Sequence, residues 1–244
     1  MSQHPPGSYS SSQTRTGAPN TEEYRKMISG VPFRVLGDIQ LQAKKIKARQ
    51  FCAKYNADDE VLKDDEMPLH ELFMALRTER ERLLRTIIGS IGQGPVIEPP
   101  FNFQYGFNIV MGDSVYANVK LVYLVHTLFL SGIWFSHLRI MDSGEVTIGD
   151  RVLIGPNVTI VTELHDKDIS SRGDVYTRPV TIEEDCWIGV GTTILPGVTI
   201  GKGSVIGAGS VVTRSIPPFS VAWGDPARVV EPVKDVHTVN GKAK

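Results

Sequence analysis

The chain has 244 residues, enough for one large domain or a main domain with a small appendage. Its 26 basic and 27 acidic residues nearly cancel, which gives no reason to expect a nucleic-acid or membrane-surface partner. The two cysteines, Cys52 and Cys186, stand in unrelated contexts and read as reduced thiols of a cytoplasmic protein, not as a disulfide.

Residues 1–21 are rich in Ser, Pro and Gly and hold no aliphatic residue but Ala18, so they read as a disordered tail. No apolar h-region is present, so no secretory signal is expected. Residues 22–92 read as a small helical domain. A first helical stretch, 22–55, breaks at Val35-Leu36-Gly37-Asp38 and then sets Leu41, Ile46, Phe51 and Tyr55 roughly on one side. A second helix is predicted from about Pro68 to Ile91, with Leu69, Leu72, Phe73, Leu76 and Leu83 on one face. Helices this short are marginal alone, so they must pack on each other or on the C-terminal part of the chain.

From residue 93 to 231 the pattern changes. Isoleucine or valine returns every sixth residue at Ile182, Ile188, Ile194, Ile200, Ile206 and Val212, and earlier at Ile148, Ile154 and Ile160. A period of six fits neither a helix nor a simple strand and points to a repeat architecture, a triangular β-coil. The aliphatic residue points into the prism. Gly149, Gly155, Gly189, Gly201 and Gly207 are read as the tight corners, where a positive φ costs least. Phe101–Asn118 reads as the opening coils.

Two stretches interrupt the scheme. Residues 119–139 are almost wholly apolar and lack the period; their uninterrupted core, Leu121–Phe135, is shorter than the roughly 20 residues a bilayer span needs. A hydrophobic flap or a helix packed on the prism is expected there, or an intervening sequence retained in the coding frame. Residues 163–179 are polar and must loop out of the coil, and loops leaving a rigid scaffold are where binding residues tend to sit. Residues 232–244 read as a second disordered tail.

Assembled in order, these stretches resemble the maltose/galactoside O-acetyltransferase family with its NodL-like relatives. The likeness rests on KARQFCAKYN, IEPPFNFQYGFNIVMGDSVYAN, MDSGEVTIGDRVLIGPNVTI, TELH and the long run RPVTIEEDCWIGVGTTILPGVTIGKGSVIGAGSVVTRSIPPFSVAWGDPARVV. The resemblance implies a mainly β fold, a left-handed parallel β-helix with a small N-terminal α-helical domain. That handedness is an exception to right-handed crossovers. It also implies a homotrimer with active sites between subunits, acetyl-CoA as co-substrate, a sugar acceptor and no metal.

Acetyl transfer to a hydroxyl needs a base and donors for the oxyanion of the tetrahedral intermediate. His165 opens the polar loop and matches the family's catalytic histidine; an imidazole changes charge in the physiological range. Read without the family, it is equally a solvated loop histidine. By the resemblance, Asn118 and Asp142 contact the acceptor, although Asn and Asp at corners also commonly satisfy turn backbone groups. Ser143 stands where some relatives carry a second acid. Trp187 lines the donor or acceptor groove, or plugs a subunit interface. The backbone N–H of Val190 corresponds to the oxyanion donor beside Gly189. Ala208, Thr213, Arg214 and Arg228 correspond to the groove for pantetheine and the nucleotide, where arginine can pair with phosphate. Two other functions compete. A catalytically silent β-coil scaffold gains weight from the extra residues 119–139. A metal-dependent carbonic anhydrase needs three converging histidines, and only His165 lies in the periodic region.

Overall fold

The computed structural model describes residues 17–57, 66–118 and 138–233. The expectations for residues 119–137 and for most of both tails lie outside the described residues. The chain is packed from earlier than residue 22: Pro19 is buried, and Thr21 caps helix α1 (Glu22–Ile28) by accepting the Tyr24 N–H at 3.2 Å. A single 3-10 turn over Val35–Gly37 leads to α2 (Ile39–Tyr55), whose N-cap Asp38 accepts the Leu41 N–H at 2.9 Å.

Helix α2 buries Leu41, Ala48, Cys52 and Tyr55, spaced as one helical stripe; Ile46, expected on that side, faces out. Helix α3 (Leu69–Leu84) ends seven residues before the predicted Ile91. Its C-cap is Arg85, and beyond it Gly89 lets the backbone pass the Phe107 carbonyl oxygen, which a Cβ there would meet at 2.2 Å. Ile91 instead lies in the first strand of the coil, which therefore begins at Ser90. On α3, Leu76 and Leu84 are buried, while the predicted face residues Leu69 and Phe73 are exposed.

The coil has three flat parallel sides, visited in rotation. The first side holds β1 (Ser90–Ile91), β4 (Ile109–Met111), β7 (Val146–Ile148), β12 (Val180–Ile182) and β15 (Thr199–Ile200). The second holds β2 (Val96–Ile97), β5 (Tyr116–Ala117), β8 (Leu153–Ile154), β13 (Trp187–Ile188), β16 (Val205–Ile206) and β18 (Ser220–Gly224). The third holds β3 (Phe101–Phe103), β6 (Leu138–Met141), β9 (Thr159–Val161), β14 (Thr193–Ile194) and β17 (Val211–Val212). Strand β19 (Ala227–Pro232) turns back antiparallel on β18 and covers the edge.

Stacked coils put like on like: Ile148, Ile182 and Ile200 face one another, as do Ile154, Ile188 and Ile206. Each repeat buries a second, smaller side chain two residues before the aliphatic one. Val146, Val152, Val158, Val180, Cys186, Thr192, Val198, Ser204 and Ser210 fill that row. Burial pushes the Cys186 thiol up to about 11, and both cysteines are free and buried.

The expectation for the corner glycines is corrected. Gly149, Gly155, Gly189, Gly201 and Gly207 do not have positive φ. The left-handed residues fall two positions later, at Arg151, Asn157, Gly191, Gly203 and Gly209. What excludes a side chain is the next coil: a Cβ on Gly155 would lie 2.7 Å from the Val190 nitrogen, and one on Gly189 2.6 Å from the Ala208 nitrogen. The register also continues across the long apolar segment, since β5 pairs with β8 and β6 with β9 in the ordinary way.

Candidate active site at two corners of the prism

The polar stretch after β9 is a hairpin, not an irregular loop. Strands β10 (Glu163–His165) and β11 (Val175–Thr177) pair antiparallel, with His165 opposite Val175. The N-terminal segment straps it down. Phe33 donates its N–H to the Val175 carbonyl at 3.1 Å, Arg34 meets Asp174 at 2.8 Å, and the Thr177 hydroxyl donates to the Met27 carbonyl. Tyr24, Met27, Phe33 and Leu41 form one buried cluster with Tyr105 and Phe107. The helical segment thus buries itself and fixes the base of the hairpin in one step.

His165 is exposed, and its Nδ1 lies 2.9 Å from the Arg172 carbonyl oxygen. A carbonyl only accepts, so Nδ1 carries the proton and Nε2 presents its lone pair outward. At the tip, the Asp168 and Ser170 N–H groups hold the Asp166 and Asp168 carboxyls below their usual range and shape the turn.

Below the hairpin, the corners between the third and first sides of successive coils stack. Asp142, expected to touch the acceptor, is fully buried and accepts the N–H groups of Gln104, Tyr105 and Gly106 at 2.9, 2.9 and 2.7 Å. Burial pushes its carboxyl up to about 6, the three donors only partly offsetting the loss of water. With both oxygens taken and no exposed surface, it builds the turn. Its neighbour Ser143 points instead toward the hairpin, donating to Glu163 and lying 2.9 Å from the Gln104 amide oxygen.

The remaining expected residues lie elsewhere. Thr213 and Arg214, both exposed, continue the same corner two coils beyond the hairpin. Asn118, Gly189, Val190 and Ala208 sit at the corner between the second and third sides. Asn118 is exposed and accepts from the Tyr116 hydroxyl at 3.3 Å. The Val190 N–H has no acceptor among the described residues; the corner geometry leaves the Ala208 N–H equally open. Trp187, 55 % exposed, lies on the outer face of the second side, stacked on Leu153 and Val205. Arg228 is exposed on β19. The residues expected at the site therefore stand on two corners of one chain, separated by the whole third side.

Three family descriptions match the chain: a maltose acetyltransferase hexapeptide capping motif over residues 26–92, a hexapeptide repeat of succinyl-transferase over 145–167, and bacterial transferase hexapeptide (six repeats) over 179–214. Nodulation protein L of Rhizobium meliloti is 41 % identical over 84 % of this chain and 95 % of its own length. The chain belongs to the maltose/galactoside O-acetyltransferase family. Galactoside O-acetyltransferase of Escherichia coli is 42 % identical over 64 % of this chain and 70 % of its own. A solved galactoside acetyltransferase in complex with coenzyme A superposes with a TM-score of 0.71 at 33 % identity, covering 92 % of this chain and 97 % of that one. As a member of this acetyltransferase family, the protein is an acyltransferase on a left-handed parallel β-helix.

In this acetyltransferase, sequence reasoning missed three features. Gln104 and Glu163 carry no motif of their own, because only the stacking of coils brings them to Ser143. Trp223 stands in the sequence only as part of a matching run, yet a Cβ on Gly207 would meet its Cβ at 2.7 Å, so its side chain leaves the backbone beside the glycine that precedes Ala208. The strap through Phe33 and Arg34 was invisible, since it joins segments about 140 residues apart.

Proposed function

We propose that the protein transfers the acetyl group of acetyl-CoA to a hydroxyl of a sugar or glycoside, acting as a homotrimer whose sites are each shared between two subunits. The observation that carries this reading is the division of the expected residues between two corners of one chain. His165 and the polar column below it stand on one corner, and Val190, Ala208 and Trp223 on the other. Three-fold closure brings the first corner of one subunit against the second corner of the next. The exposed apolar faces of Leu153, Trp187 and Val190 support such an interface.

The chemistry follows from the geometry. Nε2 of His165 takes the proton of the acceptor hydroxyl as its oxygen attacks the thioester carbonyl. The Val190 N–H receives the oxyanion of the tetrahedral intermediate. Collapse expels the thiolate of coenzyme A, which recovers the proton from Nε2. The bond from Nδ1 to the Arg172 carbonyl keeps the ring in the tautomer this sequence needs and steadies it between the two transfers. The continuous register across residues 119–137 argues against a broken, silent scaffold. Two free buried cysteines fit a cytoplasmic site of action.

The test is release of free thiol from acetyl-CoA by purified protein, measured over a panel of acceptors. Thiol appears only when a sugar acceptor is present, and His165→Ala lowers kcat/KM at least about a hundredfold. Undiminished activity in that variant excludes the assignment of the base.

A further inference from the structure

The cluster formed by Gln104, Ser143 and Glu163 goes beyond the transfer chemistry. The three residues come from the same corner of three successive coils and meet side chain to side chain. Ser143 Oγ is bonded to Glu163 Oε1 and stands 2.9 Å from Gln104 Oε1, while Gln104 Nε2 lies 3.4 Å from Glu163 Oε2. Hydrogens are scarce in this arrangement. One serine hydrogen faces two acceptor oxygens, and a carboxylate with about four lone-pair directions receives two donors. Ser143 is fully buried, so water does not make up the difference there. Tyr105, one residue beyond Gln104, is buried as well. Burial, together with the Glu163 and Asp142 carboxylates, keeps that phenol neutral. A group of this kind, rich in acceptors, takes a ligand that brings O–H donors.

Its position relative to the base is set by the strand. Glu163 and His165 are two residues apart in β10, so both side chains leave the same face, at Cα positions about 6.6 Å apart. That separation suits one ring of a carbohydrate lying along the strand.

Resting on the acetyl-transfer reading above, we propose that Glu163 selects the acceptor. Its carboxylate, oriented by Ser143 and Gln104, accepts a hydrogen bond from a second hydroxyl of the molecule whose first hydroxyl gives its proton to His165. The substrate class is then a pyranoside or other cyclic polyol, not an isolated alcohol. Glu163 is a specificity residue, and Ser143 and Gln104 are positioning residues.

The experiment compares kcat/KM for the best acceptor of the panel with kcat/KM for its monodeoxy analogues, in wild type, Glu163→Gln, Glu163→Ala and Ser143→Ala. Wild type favours the parent over one deoxy analogue by about tenfold or more, because removing that hydroxyl leaves a polar site unpaired. In Glu163→Ala the two acceptors fall within about twofold of each other, with rate on the parent reduced and KM for acetyl-CoA unchanged. The isosteric Glu163→Gln, which keeps the shape of the cluster, also narrows the ratio, and Ser143→Ala moves it in the same direction. A wild-type ratio retained in both Glu163 variants overturns the proposal, whatever happens to melting temperature, since a mere brace for the hairpin changes stability and not discrimination. If wild type releases no thiol with any acceptor, the acetyl-transfer reading itself fails and takes this one with it.

Discussion

Three backbone N–H groups converge on the carboxylate of Asp142 in the interior of the molecule, and its carboxyl is pushed up to about 6. A group that binds its proton more tightly when folded contributes stability that is full below its unfolded value and is lost as pH rises through its folded value. Between about pH 4 and pH 6 this residue should withdraw about 3 kcal/mol of stability. Asp142→Asn abolishes that slope and, at pH 7, costs about 2 kcal/mol, because its amide nitrogen cannot accept from the turn. Chemical denaturation of both proteins across that window measures the difference. At the glycines the outcome depends on the neighbouring coil. Gly155→Ala puts a methyl 2.7 Å from the Val190 nitrogen and should cost about 1–3 kcal/mol, read from the same denaturation curves. That glycine is needed there was legible from the sequence. The reason was not, since a period in one chain does not reveal how closely the next coil approaches.

At the scale of elements, helix α1 and the segment after it hold the hairpin that carries His165. Phe33 is buried, extends the hairpin with its backbone and anchors the aromatic cluster. Phe33→Ala should loosen β10 and β11, raising amide exchange of Glu163–Thr177 and lowering kcat, with KM for acetyl-CoA unaltered. A variant with normal exchange there and normal kcat contradicts the strap. The six-residue pattern was legible because each aliphatic residue is a separate inward vote, from Ile148 to Val212. The hairpin was not, because Asp166–Asp174 has Ile169 as its one large apolar residue and its pairing depends on a strand edge supplied by Phe33. The end of α3 was hidden for a similar reason: Ile87, Ile88 and Ile91 continue an apolar pattern past Leu84, and only the pairing of Ile91 with Met111 shows that it belongs to the coil.

At the scale of the whole molecule, the candidate site was legible as a set of residues but not as a place. Asn118, Val190 and Ala208 stand on a different corner from His165, and Asp142 proves to be the foundation of a turn. In the proposed trimer, a threefold arrangement of prisms reunites the rest. Sedimentation equilibrium should give three times the monomer mass, and Trp187→Glu, which sets a charge in the apolar face of the second side, should shift it toward monomer. No helix among the described residues is long and apolar enough to cross a membrane.

The sharing of sites between subunits is tested most directly by complementation. His165→Ala removes the base, and Ala208→Trp fills the groove on the other corner, so each variant trimer alone is inactive. Mixed trimers contain sites that combine an intact His165 from one chain with an intact Ala208 from its neighbour. With random assortment in equal amounts that happens with a chance of half times half, so about a quarter of wild-type thiol release should return. Mixed trimers, verified by two affinity tags, that stay as inactive as their parents contradict the shared site.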